Sequence, residues 1–331
     1  MIRYTVFEPS GAVHAVEVDP SPLGPREVDV AVTHCGICNT DVSLIDDAYG
    51  ISRFPLVAGH EAVGVVTAIG ADVDAQSIAV GQRVGVGAVA GSCQACEWCL
   101  SGQQSLCQRK DTTALRGSQG AFASQVRASD WRHVQPIPDA LPSAGAAPLL
   151  CAGATVFPPI LRHGVCPTDR VAVVGIGGLG HLAIKFLAAW GCHVTAITST
   201  PTKASDARRF GAHDAVAAED LPASSFDFML STAPGDLPWD AYLGAIRSRG
   251  TLCLVGVPHG AVSVSPLPLL TGERRIAGGV TGSPTEVRQM LDFAARHSIT
   301  AETETYPVAR IDDAIERVRQ GRARYRVVLE M

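Results

Sequence analysis

The sequence predicts an α/β protein in which a β-rich segment precedes a parallel sheet flanked by helices. Three observations predict it. Up to about residue 150, short β-branched runs such as 27–33 and 62–69 are bounded by Gly or Pro, which is typical of a β-rich domain. From Arg170 onward, short apolar strands alternate with helical patterns, which indicates βαβ units and a parallel sheet. Near the end, helices are predicted over 286–297 and 311–319 before a last strand over 325–329.

The parallel-sheet segment begins with a short buried strand at 171–174. A helix should follow from Leu179, because apolar residues up to Trp190 recur three and four positions apart and so lie along one face. Gly191 then ends this helix. Further strands are predicted over 193–198, 226–230 and 251–255, with a helix over 202–210.

Length and composition describe a globular protein of roughly two domains. The chain has 331 residues, of which 47% are hydrophobic and 18% charged, with a mean hydropathy of +0.18. This composition is too apolar for a disordered chain. The net charge is −5, whereas binding to a phosphate backbone requires an excess of basic residues, so we expect no nucleic-acid partner.

The apolar stretches do not predict a membrane protein. Glu8 and Pro9 interrupt the N-terminal segment before an apolar run could form a signal peptide. The most apolar later stretches, 146–161 and 171–190, contain Pro or Gly and fall short of an uncharged spanning helix. We therefore expect a cytoplasmic location and no membrane partner.

A glycine-rich G-x-G-x-x-G motif follows the first strand of the parallel sheet. Gly175 allows the tight turn, Gly177 lets the backbone approach a pyrophosphate, and Gly180 allows the helix to pack on the sheet. The helix N-terminus at Leu179 offers free N–H groups to the anion. Gly178 lies between Gly177 and Leu179. The motif predicts dinucleotide binding by these five residues, the alternative being a glycine-rich turn without a ligand.

The end of the second strand indicates which dinucleotide is bound. Ser199 stands where an acidic residue would hold the 2′-hydroxyl of NAD. The hydroxyls of Thr198, Ser199 and Thr200, with the cation of Lys203, suit a 2′-phosphate instead, so NADP(H) is predicted. Alternatively, these residues only begin the next helix, with Thr200 as N-cap and Pro201 at its first position. Both interpretations are compatible.

Four of the ten cysteines form the strongest local signal. Cys93, Cys96, Cys99 and Cys107 follow the pattern C-x2-C-x2-C-x7-C. A cytoplasmic location argues against disulfides, and four thiolates in a short loop are typical of a structural zinc site. An iron–sulfur site remains an alternative, because thiolate ligands alone do not choose the metal.

Catalytic candidates are scattered along the chain, and spacing alone does not join them. Cys38, His60 with Glu61, and Cys151 are the candidates for ligands of a second metal. Taken singly, the two cysteines are more often small buried hydrophobic residues, and His60 a core histidine.

The sequence resembles, nearly end to end, the zinc-dependent medium-chain alcohol dehydrogenases, specifically their cinnamyl alcohol dehydrogenase-like branch. Besides the four-cysteine lobe, several motifs in the same order carry the resemblance. They are Cys-Gly-Ile-Cys at 35–38, Ala-Gly-His-Glu at 58–61, Gly-Gln-Arg-Val-Gly-Val-Gly at 81–87, Leu-Leu-Cys-Ala-Gly at 149–153, Gly-Gly-Leu-Gly-His at 177–181 and Tyr-Arg-Val-Val at 325–328.

The resemblance implies two domains and their cofactors. Residues 1–151 with 283–331 would form a GroES-like catalytic domain that carries the structural zinc lobe, 93–107. Residues 152–282 would form a doubly wound Rossmann NADP-binding domain, with the active-site cleft where the two domains meet. Two zinc ions per subunit and a homodimer are also implied.

The resemblance further assigns roles to individual residues. Cys38, His60 and Cys151 would be the ligands of the catalytic zinc. Glu61 would be an adjacent carboxylate able to enter or leave its coordination sphere, and Asp41 would orient His60. These assignments come from the family and not from the spacing.

A proton relay is implied as well, and here the sequence departs from the family pattern. Thr40 would pass the proton, since its hydroxyl can both donate and accept. Many members have histidines where this chain has Asn39 and Ser43. Asn39 could still meet a cofactor phosphate, whereas Ser43 does not store a proton near neutral pH. Water or His34 would then end the relay, or aldehyde reduction would be the working direction.

The leading interpretation is an NADP(H)-dependent zinc alcohol dehydrogenase or aldehyde reductase. It would catalyse reversible hydride transfer between the nicotinamide and a small zinc-bound alcohol or aldehyde. One alternative is an NADPH-dependent reductase of an activated C=C bond on the same scaffold. Another is a non-catalytic protein that binds NADPH or zinc.

Overall fold

A computed structural model describes residues 1–115, 119–198, 200–235, 237–258 and 260–331. The chain forms two compact units. The first comprises Met1–Ala154 and Gly282–Met331, and the second comprises Thr155–Thr281.

Strands and helices are numbered in chain order. The strands are β1 Ile2–Thr5, β2 His14–Glu17, β3 Val28–Ile37, β4 Ala62–Ile69, β5 Arg83–Val86, β6 Val89–Gly91, β7 Asp111–Thr112, β8 Gln125–Ala128, β9 Val134–Pro136, β10 Arg170–Val174, β11 His193–Ile197, β12 Asp214–Val216, β13 Phe226–Ser231, β14 Ile246–Leu254, β15 Arg275–Gly278, β16 Thr303–Pro307 and β17 Arg326–Glu330. The helices are α1 Asn39–Ile45, α2 Glu97–Leu100, α3 Ser143–Ala146, α4 Ala152–Val156, α5 Pro158–Arg162, α6 Gly180–Trp190, α7 Pro201–Arg209, α8 Trp239–Ala245, α9 Pro266–Gly272, α10 Pro284–Arg296 and α11 Ile311–Arg319.

The first unit is built on a seven-stranded sheet. Its strands lie in the order β16-β17-β3-β4-β5-β9, and β8 also pairs with β3. The long strand β3 is antiparallel to β4, β8 and β17. Val28, Val30 and Val32 of β3 are buried in the core of this unit. The pairing with β17 brings the C-terminal strand beside the residues just before Cys38, as Val327 lies opposite Ile37.

The second unit contains a six-stranded sheet in which every neighbouring pair is parallel. Its order, β12-β11-β10-β13-β14-β15, is that of a doubly wound dinucleotide-binding domain. The inner strands β10 and β13 are buried along nearly their whole length, as expected when helices cover both faces of a sheet. The α/β fold class predicted from the sequence is therefore confirmed.

Local signals predicted helices α6 and α7 of the second unit to within one or two residues. Helix α6 has Leu179 as its N-cap and ends at Gly191, whose φ of 104° is left-handed. Helix α7 begins with Thr200 as N-cap and Pro201 in the first turn. Helices α5, α8 and α9 were not predicted from the sequence, and strand β14 begins at Ile246 instead of 251.

Among the described residues, no single helix is long and apolar enough to cross a membrane. The bent pair 143–150 and 152–162 passes that test by length and composition alone.

Candidate metal centres and dinucleotide-binding segment

The first unit brings together four side chains that are far apart in the sequence. One potential ligand atom from each of Cys38, His60, Glu61 and Cys151 lies within 4.8 Å of the others. His60 Nε2 lies 3.2 Å from Cys151 Sγ. Cys38, His60 and Glu61 are buried, and Cys151 is partly buried. The fold therefore collects two sulfurs, one imidazole nitrogen and one carboxylate oxygen at one point.

The buried carboxylate of Asp41 holds this cluster in place. Its Oδ1 accepts hydrogen bonds from His60 Nδ1 and from the Gly59 N–H, both at 2.8 Å. Its Oδ2 accepts a hydrogen bond from the Cys38 N–H at 2.9 Å, and this bond also caps the N-terminus of helix α1. Because Nδ1 of His60 donates to Asp41, Nε2 is the ring nitrogen left to bind a metal.

An ion pair that the sequence analysis missed lies beside the cluster. Arg326 donates from Nη2 to Glu61 Oε1, and both side chains are buried. Among the described residues, Glu61 Oε2 and Arg326 Nε have no hydrogen-bond partner. Burial raises the pKa of Glu61 to about 7, and the Arg326 charge opposes this rise. Arg326 falls within the Tyr-Arg-Val-Val motif at 325–328, but nothing local in the sequence indicates its partner.

The donor set of this cluster fits a zinc ion. A hydrogen bond from Cys151 lowers the pKa of the Cys38 thiol well below its usual range, and the same bond raises that of Cys151. One of the two sulfurs therefore keeps its proton in the absence of a cation, and a bound cation would allow both to act as thiolate ligands. With Zn–N near 2.0 Å and Zn–S near 2.3 Å, a tetrahedral site has an N···S separation of about 3.5 Å, close to the 3.2 Å between His60 Nε2 and Cys151 Sγ.

The four-cysteine lobe forms the second candidate metal centre. The sulfurs of Cys93, Cys96, Cys99 and Cys107 all lie within 4.8 Å of one another. Cys93 Sγ and Cys99 Sγ are 3.8 Å apart, which is about the edge of a tetrahedron with metal–sulfur bonds of 2.3 Å. All ten cysteines are free thiols, so the disulfide alternative has no support.

The glycine-rich turn of the second unit is closely packed at Gly175 and Gly180 and open at Gly177. Gly175 has a φ of +83°, and a Cβ there would lie 2.8 Å from Cβ of Ala233. A Cβ on Gly180 would overlap the carbonyl oxygen of Gly175, so the helix approaches the strand closely only because this residue is glycine. A Cβ on Gly177 would have no neighbour within 4 Å. The backbone at Gly177 is therefore open to a ligand.

The polar residues predicted to determine the preference for NADP(H) over NAD(H) lie around the start of α7. Thr200 is the N-cap of α7 without a side-chain cap hydrogen bond, and its N–H donates to Thr198 Oγ1 at 3.3 Å. Lys203 lies in the first turn of this helix. Ser199 lies outside the described residues.

The predicted proton relay is not assembled by hydrogen bonds. Thr40 and Asn39 are exposed in the first turn of α1, and Ser43 is partly buried in the next. Within the described part of the chain, no hydrogen bond joins the side chains of Thr40 and Ser43. His34 lies on β3, with Nδ1 3.0 Å from Thr33 Oγ1 and Nε2 4.0 Å from Glu330 Oε1. The relay stays a prediction.

A Rossmann sheet combined with a GroES-like β-rich unit defines the medium-chain class of dehydrogenases and reductases. Residues 24–139 match the family model described as alcohol dehydrogenase GroES-like domain, and residues 178–296 match zinc-binding dehydrogenase. An aldehyde reductase from Synechocystis sp. is 40% identical over 98% of this chain and 97% of its own length. The chain belongs to the zinc-binding alcohol dehydrogenase family.

Solved structures of this family share the whole fold. A cinnamyl alcohol dehydrogenase from Sorghum bicolor matches with a TM-score of 0.93 at 33% identity, covering 99% of this chain and 97% of that one. The protein named CAD from Helicobacter pylori, complexed with NADP(H), matches with a TM-score of 0.90 at 27% identity, covering 100% and 97%. The chain is accordingly an oxidoreductase of the alcohol and aldehyde dehydrogenase type.

Proposed function

We propose that the protein is an NADP(H)-dependent zinc alcohol dehydrogenase that works mainly as an aldehyde reductase. It would transfer a hydride reversibly between the nicotinamide and a small alcohol or aldehyde. The observation that carries this proposal is the convergence of Cys38, His60 and Cys151, with Glu61, on one buried point.

Each metal centre would hold one zinc ion, which makes two per subunit. Cys38, His60 and Cys151 would hold the catalytic zinc, which as a Lewis acid polarises the oxygen of the substrate. The four cysteines of the lobe 93–107 would hold a structural zinc with no open position. The close thiol sulfurs in both clusters support this assignment.

Residues around the catalytic cluster would orient ligands and move the proton. Asp41 keeps the His60 ring turned with Nε2 toward the two cysteines. Arg326 holds Glu61 by one oxygen and compensates its buried charge. The exposed hydroxyl of Thr40, two residues after Cys38, would hold the proton exchanged with the substrate oxygen. With Ser43 as the next polar group, water would carry the proton further, which favours aldehyde reduction.

The second unit would bind the cofactor. The open backbone at Gly177 and the N-terminus of α6 suit a pyrophosphate. Thr198, Thr200 and Lys203 would meet the 2′-phosphate, with Ser199 between them. Asn39 of the first unit would donate to a cofactor phosphate. The NADP(H) complex of the Helicobacter pylori relative supports this choice of cofactor.

We also propose a homodimer, formed through the second unit. Strand β15 lies at one edge of the parallel sheet, and among the described residues no further strand pairs with its outer edge. Leu267 and Leu270 of the preceding helix are 66% and 76% exposed. The expected cytoplasmic location stays a prediction.

Turnover and metal content together test this function. Purified protein is assayed for NADPH oxidation with a saturated aldehyde and with an enal, the enal product is identified, and zinc is measured per subunit. We expect an alcohol as product and two zinc ions. Cys151→Ser should abolish turnover and lose one zinc ion, whereas Cys253→Ser, at a buried cysteine of the second unit, should do neither.

Other outcomes would contradict the proposal. A saturated aldehyde as the product from the enal would favour the reductase of C=C bonds. NADPH binding without turnover on any aldehyde would favour the non-catalytic protein. Equal turnover by Cys151→Ser and wild type would exclude the assigned metal site.

A further inference from the structure

Gly36 lies on β3 directly beside the Glu61 side chain. Its N–H donates to the Glu61 carbonyl at 3.1 Å, and across the sheet it pairs with Val328 of β17. A Cβ built on Gly36 would overlap Glu61 Oε2 and would lie 3.0 Å from Cδ of the same side chain. The carboxylate therefore occupies the space that any other residue at position 36 would fill.

The backbone at Gly36 does not itself require glycine. Its φ lies outside the left-handed region, and the residue sits in a regular part of the β3–β17 pairing. Glycine in the interior of a strand weakens it, because glycine loses more conformational freedom on folding and offers no side chain to pack. The role that the structure indicates for Gly36 is to leave space for the Glu61 carboxylate.

Two residues together determine where the Glu61 carboxylate lies. Arg326 binds Oε1, while Oε2 lies in the space over Gly36 and has no partner among the described residues. One oxygen of this carboxylate lies within 4.8 Å of the ligand atoms of Cys38, His60 and Cys151. A shift of the carboxylate would therefore change the donor set offered to a metal.

We propose that Gly36 is a positioning residue of the catalytic metal centre, which acts by leaving the space that the Glu61 carboxylate occupies beside the metal ligands. This inference rests on the proposed function only in that a metal binds at this cluster. Substituting Gly36 displaces Glu61 from Arg326 and from its place beside the ligands. The metal is then bound in a different environment.

A set of double variants tests whether the carboxylate is what Gly36 accommodates. Gly36→Ala is made in the wild type and in Glu61→Gln, Glu61→Asp and Glu61→Ala, and urea unfolding midpoints are measured. In wild type and in Glu61→Gln, whose side chain has the same size and shape as that of glutamate, the added methyl group should lower the midpoint. In Glu61→Ala, and in part in the shorter Glu61→Asp, the loss should disappear. These backgrounds keep the test measurable if Gly36→Ala alone does not fold.

Gly64 offers a matched control on the adjacent strand β4. A Cβ there would overlap the carbonyl oxygen of Ala31 and not Glu61. Gly64→Ala should therefore lower the midpoint equally in all four backgrounds. If Gly36→Ala behaves like Gly64→Ala, with no rescue by Glu61→Ala, the proposal is wrong.

The metal itself supplies a second measurement. Zinc is exchanged for Co²⁺, and the visible bands that Cys151→Ser removes are assigned to the catalytic centre. Gly36→Ala should shift these bands and release the metal to a chelator roughly 10–100-fold faster, whereas Gly64→Ala should leave the bands in place. Unchanged bands and release in a folded Gly36→Ala protein would overturn the proposal. Absence of turnover in the wild type would contradict the proposed function but not these results.

Discussion

The substitution Asp41→Asn measures how much the buried carboxylate contributes to the cluster. Asp41 accepts three hydrogen bonds and is fully buried. An asparagine could keep its oxygen toward Gly59 and His60, but its NH₂ group would then face the Cys38 N–H. Leaving that donor unsatisfied costs about 1–3 kcal/mol, and weakening the two remaining charge-assisted bonds costs roughly another 1–2 kcal/mol. We therefore expect about 2–5 kcal/mol of lost stability.

Urea unfolding of the zinc-loaded protein measures this loss, and a chelator competition measures the metal affinity. We expect the affinity of the catalytic centre to fall roughly 10–100-fold, because the His60 ring is no longer held. Asp46→Asn at the other end of α1 is the control, since Asp46 pairs with Arg319 near the surface and should contribute less than about 1 kcal/mol. Equal unfolding free energies for the two variants would refute the reasoning.

Three further predictions concern other charges. Arg326→Met should cost about 3–5 kcal/mol of unfolding free energy, because it leaves Glu61 buried without its partner, whereas Arg319→Met should cost under about 1 kcal/mol; similar losses would contradict this. Burial lowers the pKa of His133 to about 4. Between pH 6.5 and 4 the unfolded chain binds a proton that the folded protein does not, so the free energy of unfolding should decrease by up to about 3 kcal/mol as the pH is lowered through this range. Urea unfolding of His133→Gln at a series of pH values should lack this decrease; the same decrease in the variant would mean that other groups cause it. Lys203→Ala should raise the KM for NADPH roughly 10–100-fold and leave that for NADH unchanged; parallel changes for both cofactors would argue against a 2′-phosphate contact.

Patterns within short segments predicted the second unit well. The strand at 171–174, the glycine motif and the helix up to Trp190 are each specified by neighbouring residues, because helix periodicity and turn glycines act locally. Helices α5, α8 and α9 were missed, as their 5, 7 and 7 residues are too few to show a clear period. The start of β14 was missed because Arg247, Ser248 and Arg249 are exposed polar residues, and such residues do not predict a buried strand.

The catalytic cluster could not be predicted from local sequence patterns. Cys38, His60 and Cys151 were joined by resemblance to a family, not by spacing, and the structure brings them together. The partner of Glu61 was not predicted at all. Arg326 is 265 positions downstream, and only the pairing of β17 with β3 places it beside the cluster.

The sequence by itself determined the α/β class, the two kinds of domain and the residue types that can bind zinc and a dinucleotide, because these depend on periodicity, glycine conformation and ligand chemistry. The tertiary structure decided which donors meet. The hydrogen bonds that Asp41 accepts from Gly59 and His60, the ion pair of Arg326 with Glu61 and the space over Gly36 all arise between segments separated in the chain, since the pairing of strands in the sheet, and not sequence proximity, makes them neighbours.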